Sequence, residues 1–209
     1  MQISIATATE KLKNDDIAEV FEDWGRTVIT LADGATGLGF GHIAARFFAD
    51  RIRRFIQSGE FIVGPCDLAQ EFVAIDLAIQ QSVDADTTGI VIIVAEGSLH
   101  GCSVGDSEAW LLHDSGRIAL TAGQNRRPRL GSGRARPVSF GPARLSGATL
   151  LVASDGLFNC LPSRDIEAIL ATIPPDRAAD SLLDATRRAN SGRLPDDFSA
   201  IVVSEPARL

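Results

Sequence analysis

Three stretches of this chain end an apolar run in a carboxylate beside a glycine. Leu150-Leu151-Val152-Ala153-Ser154 runs into Asp155-Gly156, and Val28-Ile29-Thr30-Leu31-Ala32 runs into Asp33-Gly34. A looser version is Cys102-Ser103-Val104-Gly105-Asp106-Ser107. Buried strands of this kind each deliver one carboxylate at an exposed end, where glycine lets the backbone turn sharply or approach a ligand. Further acids stand at Asp15-Asp16 and Asp196-Asp197. Any one of them alone is explained by turn or capping chemistry. Several converging from strand ends, with no positive side chain adjacent in sequence, suit a hard divalent cation.

The elements that must position these acids follow from periodicity. Gln2 to Ala8 alternates as a strand, and Ile17–Phe21 and Arg26–Ala32 read as a hairpin through Glu22-Asp23-Trp24-Gly25. A glycine-rich loop, Ala35 to Gly41, leads into a helix over 43–56, and Pro65 opens a second over 65–83. Thr88–Ala95, Leu99–Val104, Glu108–His113 and Arg117–Leu120 read as a four-strand meander. Arg136–Phe140 and Thr149–Ala153 resume the strands. Helices over 162–173 and 175–190 precede a last strand, Phe198–Val203. Paired helices and mostly antiparallel strands predict an α+β fold: a four-layer αββα sandwich in a single domain over 1–209.

Composition narrows the function classes. The 209 residues are 45% hydrophobic, enough for one sizeable core. A net charge of -7 argues against a nucleic-acid partner. No basic-then-apolar leader or membrane-length run is present, so the expectation is a soluble, cytoplasmic chain with no membrane partner. Cys66, Cys102 and Cys160 form neither a zinc pattern nor a disulfide framework. One segment departs from the acidic whole. Gly123 to Pro137 carries Arg126, Arg127, Arg129, Arg134 and Arg136, and no acid occurs from Ser115 to Ser154. It reads either as a solvated loop or as a rim that recruits a phosphorylated partner by charge.

Taken in order, Asn14-Asp15-Asp16, Asp33-Gly34, Gly105-Asp106-Ser107, Ala153-Ser154-Asp155-Gly156-Leu157 and Asp196-Asp197-Phe198-Ser199 resemble the motifs of the metal-dependent protein Ser/Thr phosphatases, protein phosphatase type 2C. The likeness runs from about Ile5 to Val203 and is closest to compact bacterial members with a shortened flap. It implies two Mn²⁺ or Mg²⁺ ions that activate a hydroxide against a phosphoserine or phosphothreonine ester. By motif position Asp33 bridges both ions and the Gly34 carbonyl binds one. Asp155 and Asp196 hold the first ion, and Asp15 supports the second. Asp106, with Asp155, implies a weaker third site. Lys11 stands where the family places a phosphate-gripping arginine, and Arg126, Arg127 and Arg129 join it as substrate-binding candidates. Lys11, Asp33 and Asp155 are thus the catalytic expectations. The implied partners are a phosphorylated protein substrate and a cognate Ser/Thr kinase. Lysine for arginine at 11 and aspartate for glutamate at 15 keep a second reading in view, a phosphoprotein-binding module with weak catalysis.

Overall fold

The computed structural model describes residues 1–35, 39–58 and 63–206; the expected glycine-rich loop falls outside them at 36–38. Among the described residues ten strands form two five-stranded antiparallel sheets. One has the order β1 (Gln2–Ala8), β10 (Phe198–Glu205), β9 (Ala148–Ala153), β6 (Glu108–His113), β7 (Gly116–Ala119). The other runs β2 (Asp16–Asp23), β3 (Arg26–Asp33), β4 (Gly89–Ala95), β5 (Ser98–Val104), β8 (Val138–Arg144). Helices α1 (Gly41–Gln57) and α2 (Pro65–Ser82) cover the second sheet, and α4 (Ser163–Thr172) and α5 (Pro175–Ala189) cover the first. The short α3 (Asp155–Phe158) continues directly from β9. The αββα sandwich expected from the sequence is the fold observed.

Alternation along the central strands builds three apolar layers. Ile29 and Leu31 of β3, Ile90 and Ile92 of β4, and Leu150 and Val152 of β9 face the gap between the sheets. Their neighbours point the other way. Val28, Val91 and Ile93 meet Phe48, Ile52 and Phe72 of the helices, while Leu151 and Ala153 meet Ile166 and Leu182. Strands buried on both faces must be apolar at nearly every position, which is why these runs look continuous in sequence. Each fully buried Leu, Ile or Phe contributes about 1.5–3 kcal/mol of transfer free energy.

The expected four-strand meander is not formed. β4 pairs with β5, and β6 pairs with β7 and β9, but β5 and β6 belong to different sheets. The chain crosses between sheets at Gly105-Asp106-Ser107, where Gly105 takes a φ of 108° that other residues rarely adopt. Asp106 therefore stands at the junction of the two sheets. No helix of the described residues is long and apolar enough to cross a membrane.

Candidate active site

The site is built where strand ends from both sheets meet. Asp16 and Asp33 are direct cross-strand partners at the open end of β2 and β3, so their side chains share one face. The end of β3 is fixed from β4: the Thr88 hydroxyl accepts from the Asp33 amide at 3.0 Å, and the Asp33 carbonyl accepts from the Thr88 amide at 2.8 Å. The Thr88 hydroxyl also meets the Ser107 hydroxyl at 2.8 Å, which ties this end to the Asp106 crossing. Opposite them, Asp155 is the first residue of α3, and Asp196 and Asp197 lead into β10. The two Asp-Gly pairs have a steric cause. A side chain at Gly34 would strike the Gly41 backbone at the start of α1, and one at Gly156 would strike the Asp197 carbonyl. Glycine lets these acid-bearing strand ends close on one another.

Electrostatics show how poorly these acids are compensated. Burial pushes the Asp33 carboxyl up to about 9, with Asp16 and Asp155 adding to the rise. Burial likewise pushes Asp16 up to about 7, with Asp197 and Asp196 adding to it. The Ser154 and Ser199 hydroxyls ease Asp16, yet neither makes a hydrogen bond of normal geometry to it, and both of its oxygens lack a partner. Asp155 is raised by burial and then by Asp106 and Asp196, against a 3.0 Å hydrogen bond from the Asn159 amide. Buried like charges without counter-ions disfavour ionisation in this way.

Three cations of the chain meet part of this charge. Lys11 Nζ donates to Asp196 at 2.9 Å and to Asp197 at 3.1 Å. Partial burial works against its charge, and these bonds hold the ammonium more firmly protonated than usual. Arg129 donates to both Asp106 oxygens at 2.9 Å, and Arg126 reaches the same carboxylate at 3.1 Å and 3.2 Å. Arg126 also lies 3.9 Å from Asp155. Arg126, Asp106 and Asp155 line a cleft of about 270 Å³ beside the acids.

The sequence-predicted residues thus divide. Asp33, Asp106, Asp155 and Asp196 come together, with Lys11, Arg126 and Arg129 against them. Asp15 turns aside: its carboxylate accepts from the His42 amide at 3.0 Å, at the start of α1, and its own carbonyl accepts from Gly34 at 3.2 Å. Arg127 is exposed and points away from the acids into a separate cleft. The residue that motif reading passed over is Asp16. Asp16 opens β2 directly opposite Asp33, whereas Asp15 stands just before the strand with its carboxylate on the His42 amide. The register, invisible in sequence, selects Asp16.

Asp196 and Asp197 are held differently. Asp197 is buried and committed: it accepts from the Thr9 hydroxyl at 2.5 Å, the Asp15 amide at 3.0 Å and Lys11. Asp196 is about half exposed. Its bonds, from Lys11 and from the Asp197 amide at 2.8 Å, both fall on Oδ1.

An all-oxygen donor set with unpartnered buried carboxylate atoms fits two hard divalent ions. Among the described residues no three acids, histidines or cysteines are yet drawn into a coordination cage. Internal cations hold Asp106 and Asp196, and the remaining carboxylates repel one another. Both oxygens of Asp106 are engaged by guanidinium groups, so a third ion there would have to displace Arg126 or Arg129.

This architecture is that of the bacterial serine/threonine phosphatases. It superimposes on a bacterial serine phosphatase with a TM-score of 0.86 at 20% identity, covering 100% of this chain and 99% of that one. The Staphylococcus aureus phosphatase Stp1 matches at 0.81 and 19% identity, over 97% and 94% of the two chains. The catalytic domain of PstP, in complex with two manganese ions, matches at 0.77 and 20% identity over 96% of each. The chain belongs to the Stage II sporulation protein E (SpoIIE) family, whose model matches residues 48–205. No curated protein matches the sequence.

Proposed function

We propose that this protein is a metal-dependent phosphatase acting on phosphoserine or phosphothreonine in a protein substrate. The observation that carries the reading is the cross-strand pair of Asp16, buried with both oxygens unpartnered, and Asp33, whose carboxyl is raised by burial, Asp16 and Asp155 with only the more distant charge of Arg129 against them. Such a pair needs cationic charge from outside the chain. Asp33, Asp155 and Asp196 would hold one ion, and Asp33 with the Gly34 carbonyl a second, with Asp15 supporting from the α1 side. Manganese or magnesium suits these oxygens, and the structurally similar PstP domain holds two manganese ions. When bound, two such ions acidify a water and neutralise charge on a phosphoryl group.

The chain's own residues do the rest. Asp16 fixes the electrostatic level at Asp33. An ammonium has three donors, and Lys11 spends two on Asp196 and Asp197, which leaves one N–H for a phosphoryl oxygen. The exposed Arg126 guanidinium overhangs the cleft beside Asp155 and has donors to spare for the same group. The hydroxyl leaving group receives its proton from solvent held in this cleft.

The decisive experiment is Mn²⁺-dependent release of phosphate from a phosphoserine peptide, with Asp155→Asn as control. Turnover lost in the variant and under chelation is expected. An inactive wild type, with peptide binding retained in the variant, would instead favour the binding-module reading. That second reading draws on Lys11, whose ammonium is already engaged by two carboxylates. A Ser/Thr kinase acting on the same substrate is the implied upstream partner.

A further inference from the structure

The arginine segment has two faces. Arg126 and Arg129 turn inward onto Asp106. Arg127, Arg134 and Arg136 turn outward and are exposed, and among the described residues none of the three ion-pairs with an acid. They line a cleft of about 420 Å³ together with Ser132, Asp86 and Arg129.

This cleft is held in shape from below. Asp76, a buried acid on α2, accepts three backbone amides of the segment: Gly131 at 2.7 Å, Gly133 at 2.9 Å and Ala135 at 2.8 Å. Leu130 is fully buried and exchanges two backbone bonds with Thr87, at 2.9 Å and 3.0 Å. The Ser132 hydroxyl donates to the Arg129 carbonyl at 2.6 Å, and Gln80 donates to the Ser132 carbonyl at 3.2 Å. The backbone that carries the three outward arginines is thus ordered before any partner arrives, and a ligand meets a smaller ordering cost. Among the described residues Asp86 is the one acid lining the cleft. Arg129 is already matched by Asp106, so three arginines against one acid leave a net charge of +2 (3 − 1 = 2). Guanidinium forks match the paired oxygens of phosphoryl and carboxylate groups. Arg129 borders both this cleft and the acid cluster, so a bound chain can span the two.

We propose that Arg127, Arg134 and Arg136 form a docking cleft for a second anionic group, phosphoryl or carboxylate, flanking the target residue of a phosphoprotein substrate. The proposal rests on the phosphatase reading above. A single-stranded nucleic acid is disfavoured because, among the described residues, no aromatic side chain lines the cleft for base stacking.

The test is equilibrium binding by fluorescence anisotropy on the intact, chelator-treated protein. Four probes are compared: a phosphoserine peptide with neutral flanks, one with aspartates in the flank, one with a second phosphoserine, and an RNA oligonucleotide. At least one anionic-flank peptide should bind about tenfold tighter than the neutral one, with the gain shrinking in salt. Which of the two gains identifies the source of the anion. Arg134→Gln with Arg136→Gln should reduce that peptide to the level of the neutral one, at an unchanged thermal midpoint. An equal gain in wild type and variant overturns the proposal, as does an oligonucleotide that binds tighter than every peptide. Should the variant lose its midpoint, Arg134→Lys with Arg136→Lys replaces it. Retained charge without the fork is then expected to keep only part of the gain, and a full gain overturns fork recognition. None of these measurements needs turnover, so a wild type that fails to hydrolyse p-nitrophenyl phosphate with Mn²⁺ would sink the phosphatase reading separately.

Discussion

Asp16 is the residue on which the electrostatics turn. It lies opposite Asp33 in the ladder, buried, with both oxygens unpartnered. Like charges facing each other across a strand pair are destabilising. Replacing Asp16 by Asn removes one of them and keeps the shape. In chelated protein, Asp16→Asn should therefore raise stability by about 1 kcal/mol near neutral pH. The sign follows from linkage. A carboxyl whose folded value is raised binds its proton more readily in the native state, so its ionisation costs stability as pH rises above the ordinary carboxylate range. The gain from Asp16→Asn should vanish at low pH, where Asp16 is protonated in both states, grow as pH rises through the ordinary carboxylate range, and level off above the folded value of about 7. Denaturant melts of both proteins across pH check this. With Mn²⁺ present the order should invert, because the ions then lose one of the charges that attract them. Sequence could not reach this point. It showed two adjacent acids, and only the register tells which one faces the site.

Among the elements, α1 and α2 each send charge into a neighbouring part of the fold. Glu19 of β2 accepts from Arg46 at 2.6 Å and Arg53 at 2.8 Å, both on α1. Partial burial would raise this carboxyl, but the two arginines outweigh it and hold it below its ordinary value. A lowered acid contributes stability above its unfolded value and loses it as pH falls through the folded one. Glu19→Gln should thus cost under about 1 kcal/mol at neutral pH and nothing in strong acid, as solvent screens an exposed pair. Thermal melts at the two pH values decide it. Asp76 on α2 has the larger structural role. Asp76→Ala leaves three amides of the arginine segment without their acceptor, each costing on the order of 1–3 kcal/mol if it stays buried. Water entering the segment relieves part of this, so a loss of about 3 kcal/mol is expected, with hydrogen exchange of Gly131, Gly133 and Ala135 becoming fast. In sequence, Asp76 is one polar residue inside an apolar helix pattern, and the segment it holds was as readable as a solvated loop. The bond between them spans 55 residues to Gly131, and no local pattern carries it.

At the scale of the molecule, the site is a joint between two sheets. Asp16 and Asp33 come from one sheet, Asp155 and Asp196 from the ends of strands in the other, and Asp106 from the crossing between them. Most strands and helices were legible because burial on one or both faces writes itself into the apolar period. What was not legible was sheet membership. β5 and β6 are consecutive and separated by a three-residue crossing, so they read as a hairpin. The face that Ala109 and Leu111 bury against β4 decided otherwise. A joint of this kind predicts two separable responses. Mn²⁺ held at this joint, as proposed above, would favour the folded chain, so at a hundredfold excess over its dissociation constant it should add about 2.7 kcal/mol of stability. In a chain of this length that raises the thermal midpoint by about 5–10 °C. Asp155→Asn should abolish the rise while leaving the chelated protein at least as stable, because it removes a repelling charge. Leu150→Ala, deep between the sheets and far along β9 from the acids, should do the opposite. It should lower the midpoint of the chelated protein by about 10 °C through the cavity it leaves, and keep most of the Mn²⁺ response. Differential scanning calorimetry of the three proteins with and without Mn²⁺ separates the cases. If Leu150→Ala lost the metal response and Asp155→Asn kept it, Asp155 would be a structural acid, and the ions would bind elsewhere.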